Sequence, residues 1–214
     1  MIPRHQDQRV SSCGKETSFA NSIVSACFLL DRGRWRGGEF FDPTFRFYGE
    51  DHDFGIRARL SGHRLLVVPA ALVVHGQGTP NLSLRPGGSY SSLRVTTLIC
   101  GRWQVILKNY AAWTALGLAP CLVLYEGFQL AGAIRKGWLR EWGRALVWTA
   151  RHLPELLRKR RAVQARRAIR DRDILEGGPL PFRPELTRSP LERAALRLLN
   201  GILGRWWTVL RRVL

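Results

Sequence analysis

Lysine is scarce in this chain. Only Lys15, Lys108, Lys136 and Lys159 contribute to its 34 basic residues, and arginine supplies the rest. Methionine occurs once. Cysteine occurs at positions 13, 27, 100 and 121, and no two of these have the Cys-x-x-Cys spacing of a zinc ribbon or a dithiol redox site. Cys27 and Cys121 sit in apolar runs and read as small buried hydrophobes, so no disulfide framework is expected and a reducing compartment is. The histidines (His5, His52, His63, His75, His152) are not spaced as a zinc site. Met1 to Ser18 is polar and charged, without the apolar core of a signal peptide. No long apolar run is free of interruption. Asn109 to Tyr125 is 17 residues without charge, short for a bilayer span. Pro120 within it, and Glu126 and Gln129 beyond it, point to an interfacial helix instead.

Positive charge is what the chain has in excess. The formal net charge is +18 and the pI about 11.3. Such a balance implies a polyanionic partner, whether nucleic acid, anionic lipid or phosphate groups. Arginine forks match phosphate geometry.

The stretch most informative about chemistry is Phe47-Tyr48-Gly49-Glu50-Asp51-His52-Asp53-Phe54-Gly55-Ile56-Arg57. Three carboxylates fall within four positions, directly after a glycine and at the start of a helical pattern. Acids at a helix start sit well against the positive end of the helix dipole. These acids also follow aromatics (Phe45, Phe47, Tyr48), where a carboxylate can have its pKa tuned and serve as a general base. Asp53 and Arg57 are four apart, the spacing of a surface ion pair on a helix. Ser61-Gly62 closes the pattern, with glycine as the cap. On either side, Ile23 to Leu30 and Leu65 to Val74 are short apolar runs that predict strands buried in a helix-covered sheet.

Tyr48-Gly49-Glu50-Asp51-x-Asp53-Phe54-x-x-Arg57 resembles the acidic motif in the second half of family 2 glycosyltransferases, inverting enzymes of the GT-A fold. The likeness is strongest to bacterial rhamnosyl-, galactofuranosyl- and related cell-surface transferases. Ser25 to Leu30, Gly37 to Asp42 and the Arg102 to Tyr110 stretch ending in Lys-Asn-Tyr resemble flanking segments of that family. The resemblance implies Asp51 as the base, with Glu50 as the alternative, and Glu50 and Tyr48 against the acceptor. It implies His75 as a ligand for a divalent cation (Mg2+ or Mn2+), although His75 also reads as a polar residue ending a buried strand. Asp53 and Arg57 read as a structural pair. Asp51-His52-Asp53 has the spacing of a metal-binding Asp-x-Asp, but it follows Tyr-Gly and opens a helix rather than ending a strand.

The fold expected from these readings is α/β. Residues 1–22 would be a disordered lead-in, and 23–92 the acceptor-side half of a GT-A domain. Residues 93–176 would form hydrophobic and basic membrane-associated helices, 177–190 a linker and 191–214 an amphipathic tail helix. No β-α-β unit for a nucleotide precedes Ile23, so a separate chain or segment would carry the donor half. The implied partners are a nucleotide-sugar donor, a glycan or lipid-linked acceptor and an anionic membrane surface, at the cytoplasmic face of the cell membrane. Two other functions fit the composition. One is a non-catalytic module that docks on a membrane or a partner transferase. The other is a basic nucleic-acid-binding protein using residues 135–172, where Arg158-Lys159-Arg160-Arg161 is densest. Asp171 and Asp173 in that stretch read as a solvated face.

Overall fold

A computed structural model of the chain describes residues 16–23, 27–73, 90–180 and 189–214. The α/β expectation does not hold. Of the described residues 63% are helical and 3% are in strands, and the strands among them form one two-stranded sheet. β1 (Ser18–Ala20) pairs antiparallel with β2 (Leu65–Val67), Phe19 opposite Leu66. β1 falls within the segment expected to be a disordered lead-in. The run Ile23 to Leu30 is not a buried strand where it is described: Leu29 is fully exposed and Cys27 is exposed. The second apolar run keeps its extended ladder for only three residues before turning at Pro69 and Ala70, where Ala71 N donates to Val68 O. The physical reason is partner supply. Among the described residues β2 has one neighbour, and two strands offer too little buried face to hold a core by themselves.

Helices supply the core instead. α1 (Glu50–Leu60) is followed by α2 (Ser92–Asn109), α3 (Ala112–Lys136), α4 (Leu139–Arg151) and α5 (Leu153–Ala165). A short α6 (Asp171–Ile174) and a long α7 (Pro190–Val213) complete the chain. α1 ends as its sequence predicts. Gly62 takes φ +88, and the amides of Ser61, Gly62 and His63 return to carbonyls of the last turn. The carbonyl of Leu60 then accepts from Ala168 and Ile169, so the end of α1 is tied to the segment after α5.

One apolar cluster joins Phe45, Ile56 and Leu60 to Val105 of α2, Ile174 of α6 with Leu175 just after it, and Trp207 of α7. Burial of Ile56 and Leu60 is nearly complete, each worth about 1.5–3 kcal/mol. A second cluster joins Val95, Ile99 and Cys100 of α2 to Ala145 of α4. α2 is therefore the central helix, with α1 against one side and α4 against another.

α3 runs unbroken for 25 residues, through Pro120. The proline removes one backbone bond, but the Ala- and Leu-rich flanks sustain the helix. It closes at Gly137 (φ +73), with Trp138 N donating to Ala133 O. By length and composition α3 could cross a membrane, and little of it is buried. Trp113, Leu116, Val123 and Ile134 are all exposed. α7 crosses α3 where Leu210 approaches Gly117 and Trp206 Nε1 donates to Gly117 O at 2.8 Å. α7 begins with a capping box, in which Ser189 Oγ accepts from Glu192 N and Glu192 returns the bond to Ser189 N.

Candidate functional site

The acidic turn is held by a buried polar network that reaches across the fold. Asp53 has no solvent exposure. Its Oδ2 accepts from Arg57 Nε at 2.8 Å, and its Oδ1 lies 2.8 Å from both Lys108 Nζ and Asn109 Nδ2. Lys108 Nζ also reaches Asp42 Oδ2 at 2.6 Å, and Lys159 of α5 reaches Asp42 Oδ1 at 2.5 Å. Thr44 donates to Asp42 as well. The expected surface pair Asp53–Arg57 is thus an interior one. Arg57 spends its other donors on the carbonyls of Gly37, Glu39 and Phe40. The loop before the motif is thereby fastened to α1 through its backbone, independently of its side chains.

Two carboxylates face two lysines and an arginine here, so the network is charge-rich and almost fully satisfied. Burial alone would raise the pKa of Asp42. The Lys108 charge and the hydrogen bonds from Lys108, Lys159 and Thr44 outweigh that, and its carboxyl titrates well below the ordinary 3.8. A carboxyl with a depressed folded-state pKa contributes stability that is full above its unfolded pKa and is lost as pH falls through the folded one. The melting temperature is therefore expected to hold down to about pH 4 and to drop below it. A flat profile from pH 5 to pH 2 would contradict this account of Asp42.

The backbone at the motif is strained. Tyr48 has φ 61, and no other non-glycine among the described residues has a positive φ. Gly49 follows at φ +101 and caps α1. A left-handed tyrosine costs about 1–3 kcal/mol and persists only where its surroundings over-determine it. Here they do. Arg94 Nη1 donates to the Tyr48 hydroxyl at 2.8 Å, and its guanidinium lies 4.6 Å from the ring centroid. Tyr48 O lies so close to α2 that a Cβ on Gly101 would come within 2.6 Å of it. Replacing Gly101 by alanine is expected to push α2 off the turn and destabilise the protein by about 1–3 kcal/mol. Urea denaturation measures this, and an unchanged midpoint would mean that the close approach is absent.

The strained turn divides the three acids. Asp53 points into the core, while Asp51, about 200° around the helix, and Glu50 are half-buried at the helix start. Asp51 Oδ1 accepts from His52 N at 2.7 Å. Burial pushes the His52 imidazole down to about 4, so it is neutral near pH 7 and adds no charge beside Asp51. The structure brings Tyr48, Glu50, Asp51, Asp53 and Arg57 into one turn and its first helical turns. His75 lies outside the described residues. Among the described residues no three His, Cys, Asp or Glu side chains cluster as a metal site.

Sequence reasoning missed Asp42, Lys108, Asn109, Arg94 and Lys159 as parts of this site. A signal existed for one pair: Lys108 is one of only four lysines and is followed directly by Asn109. Asp171 was expected to be solvated. It is buried, pairs with Arg167 at 2.5 Å and accepts from Ala111 N at 2.7 Å, capping the start of α3. No protein-family model matches this chain, and no curated protein or solved structure does either.

Proposed function

We propose that this chain is the acceptor-side part of an inverting glycosyltransferase at the cytoplasmic face of the cell membrane. It would transfer a sugar from a nucleotide-sugar donor to a lipid-linked or cell-surface glycan. The observation that carries this reading is the division of labour in the acidic turn. Asp53 is locked and neutralised by Arg57, Lys108 and Asn109, which leaves Asp51 half-buried at the rim of a rigid, strained turn. Rigid placement of a partly accessible carboxylate is what general-base catalysis requires.

In the proposed step, Asp51 takes the proton of an acceptor hydroxyl as that oxygen attacks the anomeric carbon of the donor. The bond from that carbon to the diphosphate breaks on the opposite face, and the nucleoside diphosphate leaves. Glu50 and Tyr48 orient the acceptor. The donor site would come from a separate chain or segment. The divalent cation that the family resemblance implies finds no ligand set among the described residues, and no step here depends on it. The apolar, exposed α3 supports membrane attachment. That same helix favours one second reading, a membrane-docking module without chemistry.

The test uses membranes from cells producing the full chain, supplied with a panel of labelled nucleotide sugars. Asp51→Asn is expected to lower transfer to lipid or glycan by about 10²–10⁴-fold, with helicity and membrane flotation unchanged. Undiminished transfer by that variant removes Asp51 as base. Flotation without transfer by the wild type, for every donor, favours the docking module.

A further inference from the structure

A partly open apolar slot of about 280 Å³ lies where α2, α3 and the start of α7 meet the turn into α4. Val95 and Ile99 of α2 form one wall, Phe128 and Gly132 of α3 another, and Trp138 and Trp142 a third. The indole N–H of Trp142 is already spent on Glu126 Oε2 at 3.1 Å. Trp138 packs against Tyr90, ring centroids 5.8 Å apart. At Gly132 a Cβ would meet nothing within 4 Å, so the slot is unfilled at its α3 wall.

Its rim is cationic. Arg135 and Lys136 close α3 above the slot, and the Glu192 carboxylate is shared between them at 2.9 and 3.5 Å. One acid against two bases leaves a positive charge in excess. Arg135 is more than half exposed. The slot also opens beside the helix whose outer face carries Trp113, Val123 and Ile134 in the open. That places an apolar cavity, a positive rim and an apolar helix side by side, in the order of a lipid's tail, headgroup and bilayer.

From this juxtaposition we infer that the slot takes one acyl chain of an anionic phospholipid, with the phosphate of its headgroup against Arg135 and Lys136. The lipid is a bound constituent of the fold, distinct from any sugar acceptor at the acidic turn. α2 stands between the two places: Val95 and Ile99 face the slot, while Gly101 and Arg94 meet Tyr48. The inference rests on the membrane attachment proposed above and not on transfer chemistry.

The full chain is bound to vesicles of phosphatidylcholine and phosphatidylglycerol carrying a trace of phosphatidylglycerol with a diazirine midway along one acyl chain. After illumination, the labelled residues are mapped by mass spectrometry. Labelling of Phe128, Trp138 and Trp142 is expected, together with Trp113 and Val123 on the outer face. Gly132→Phe fills the slot and is expected to abolish labelling inside it while leaving the outer face labelled. Arg135→Gln with Lys136→Gln is expected to reduce slot labelling by the anionic probe to the level given by a phosphatidylcholine probe. Outer-face labelling with a silent slot overturns the inference while sparing membrane attachment. Absence of both overturns both. Equal slot labelling in wild type and Gly132→Phe overturns it, as does a slot labelled by an isoprenyl phosphate probe but not by the phospholipid.

Discussion

Replacing Lys108 by methionine is expected to destabilise the protein by about 3–5 kcal/mol. Lys108 is 2% exposed and bridges Asp42 and Asp53, which are buried to the same degree. Methionine matches the length of the side chain but leaves both carboxylates facing the space where the ammonium was. Arg57 and Lys159 still reach one carboxylate each, so the interior is not left bare, but the Lys108 bridge between Asp42 of the loop and Asp53 of α1 is gone. The loss arises from burying charge without its partner rather than from the pair itself, since a whole buried network can be replaced by apolar groups at little cost. Pairing Lys108→Met with Asp42→Asn is therefore expected to cost less than the sum of the two single changes, with a coupling of about 0.5–3 kcal/mol. Urea denaturation of the four proteins gives the cycle. Simple additivity would mean that Lys108 and Asp42 do not interact.

Phe54→Ala is expected to cost about 3–5 kcal/mol. Phe54 is 1% exposed at the start of α1 and touches three rings. Trp35 stacks on it at 4.7 Å with an interplanar angle of 5°, and Phe28 and Phe41 lie at 5.3 and 5.5 Å. All three belong to the irregular segment before the motif, which has no ladder of its own among the described residues. Aromatic pairing and the Arg57 bonds to its carbonyls hold that segment to α1. Truncating Phe54 removes the first and leaves the second. The segment is expected to open locally, and protease cleavage at Arg32, Arg34 and Arg36 should accelerate more than global unfolding does. If cleavage there follows the global rate, the segment is anchored by something other than Phe54.

The ion pair at Asp53 and Arg57 was legible from spacing, because residues four apart meet on a helix. Its burial was not. That depends on carbonyls 17 to 20 residues upstream and on Lys108 and Asn109, more than 50 residues downstream. Nothing local in the motif records them. The helical tail was legible for the converse reason: its apolar face is a local pattern. The strand expectation for Ile23 to Leu30 failed because a short apolar run has no period that separates a buried strand from other apolar segments. Only strand partners decide that, and here the described residues of the run have none. The motif's likeness to a strand-rich enzyme family carried the α/β expectation further than the chain's own apolar patterns did. Those patterns are mostly helical from Ser92 onward.

The buried bridge at Asp42 also makes the protein a reporter of its own opening. Lys108 and Lys159 both commit their amines to Asp42, and Lys108 has almost no contact with solvent. An acylating reagent that attacks free amines would modify Lys136, at the open end of α3, long before Lys108. Acylation at Lys108 requires that α2 part from the loop carrying Asp42. The ratio of the two modified peptides, followed over time, is a clock for that separation, and it runs in a living cell as readily as in a cuvette.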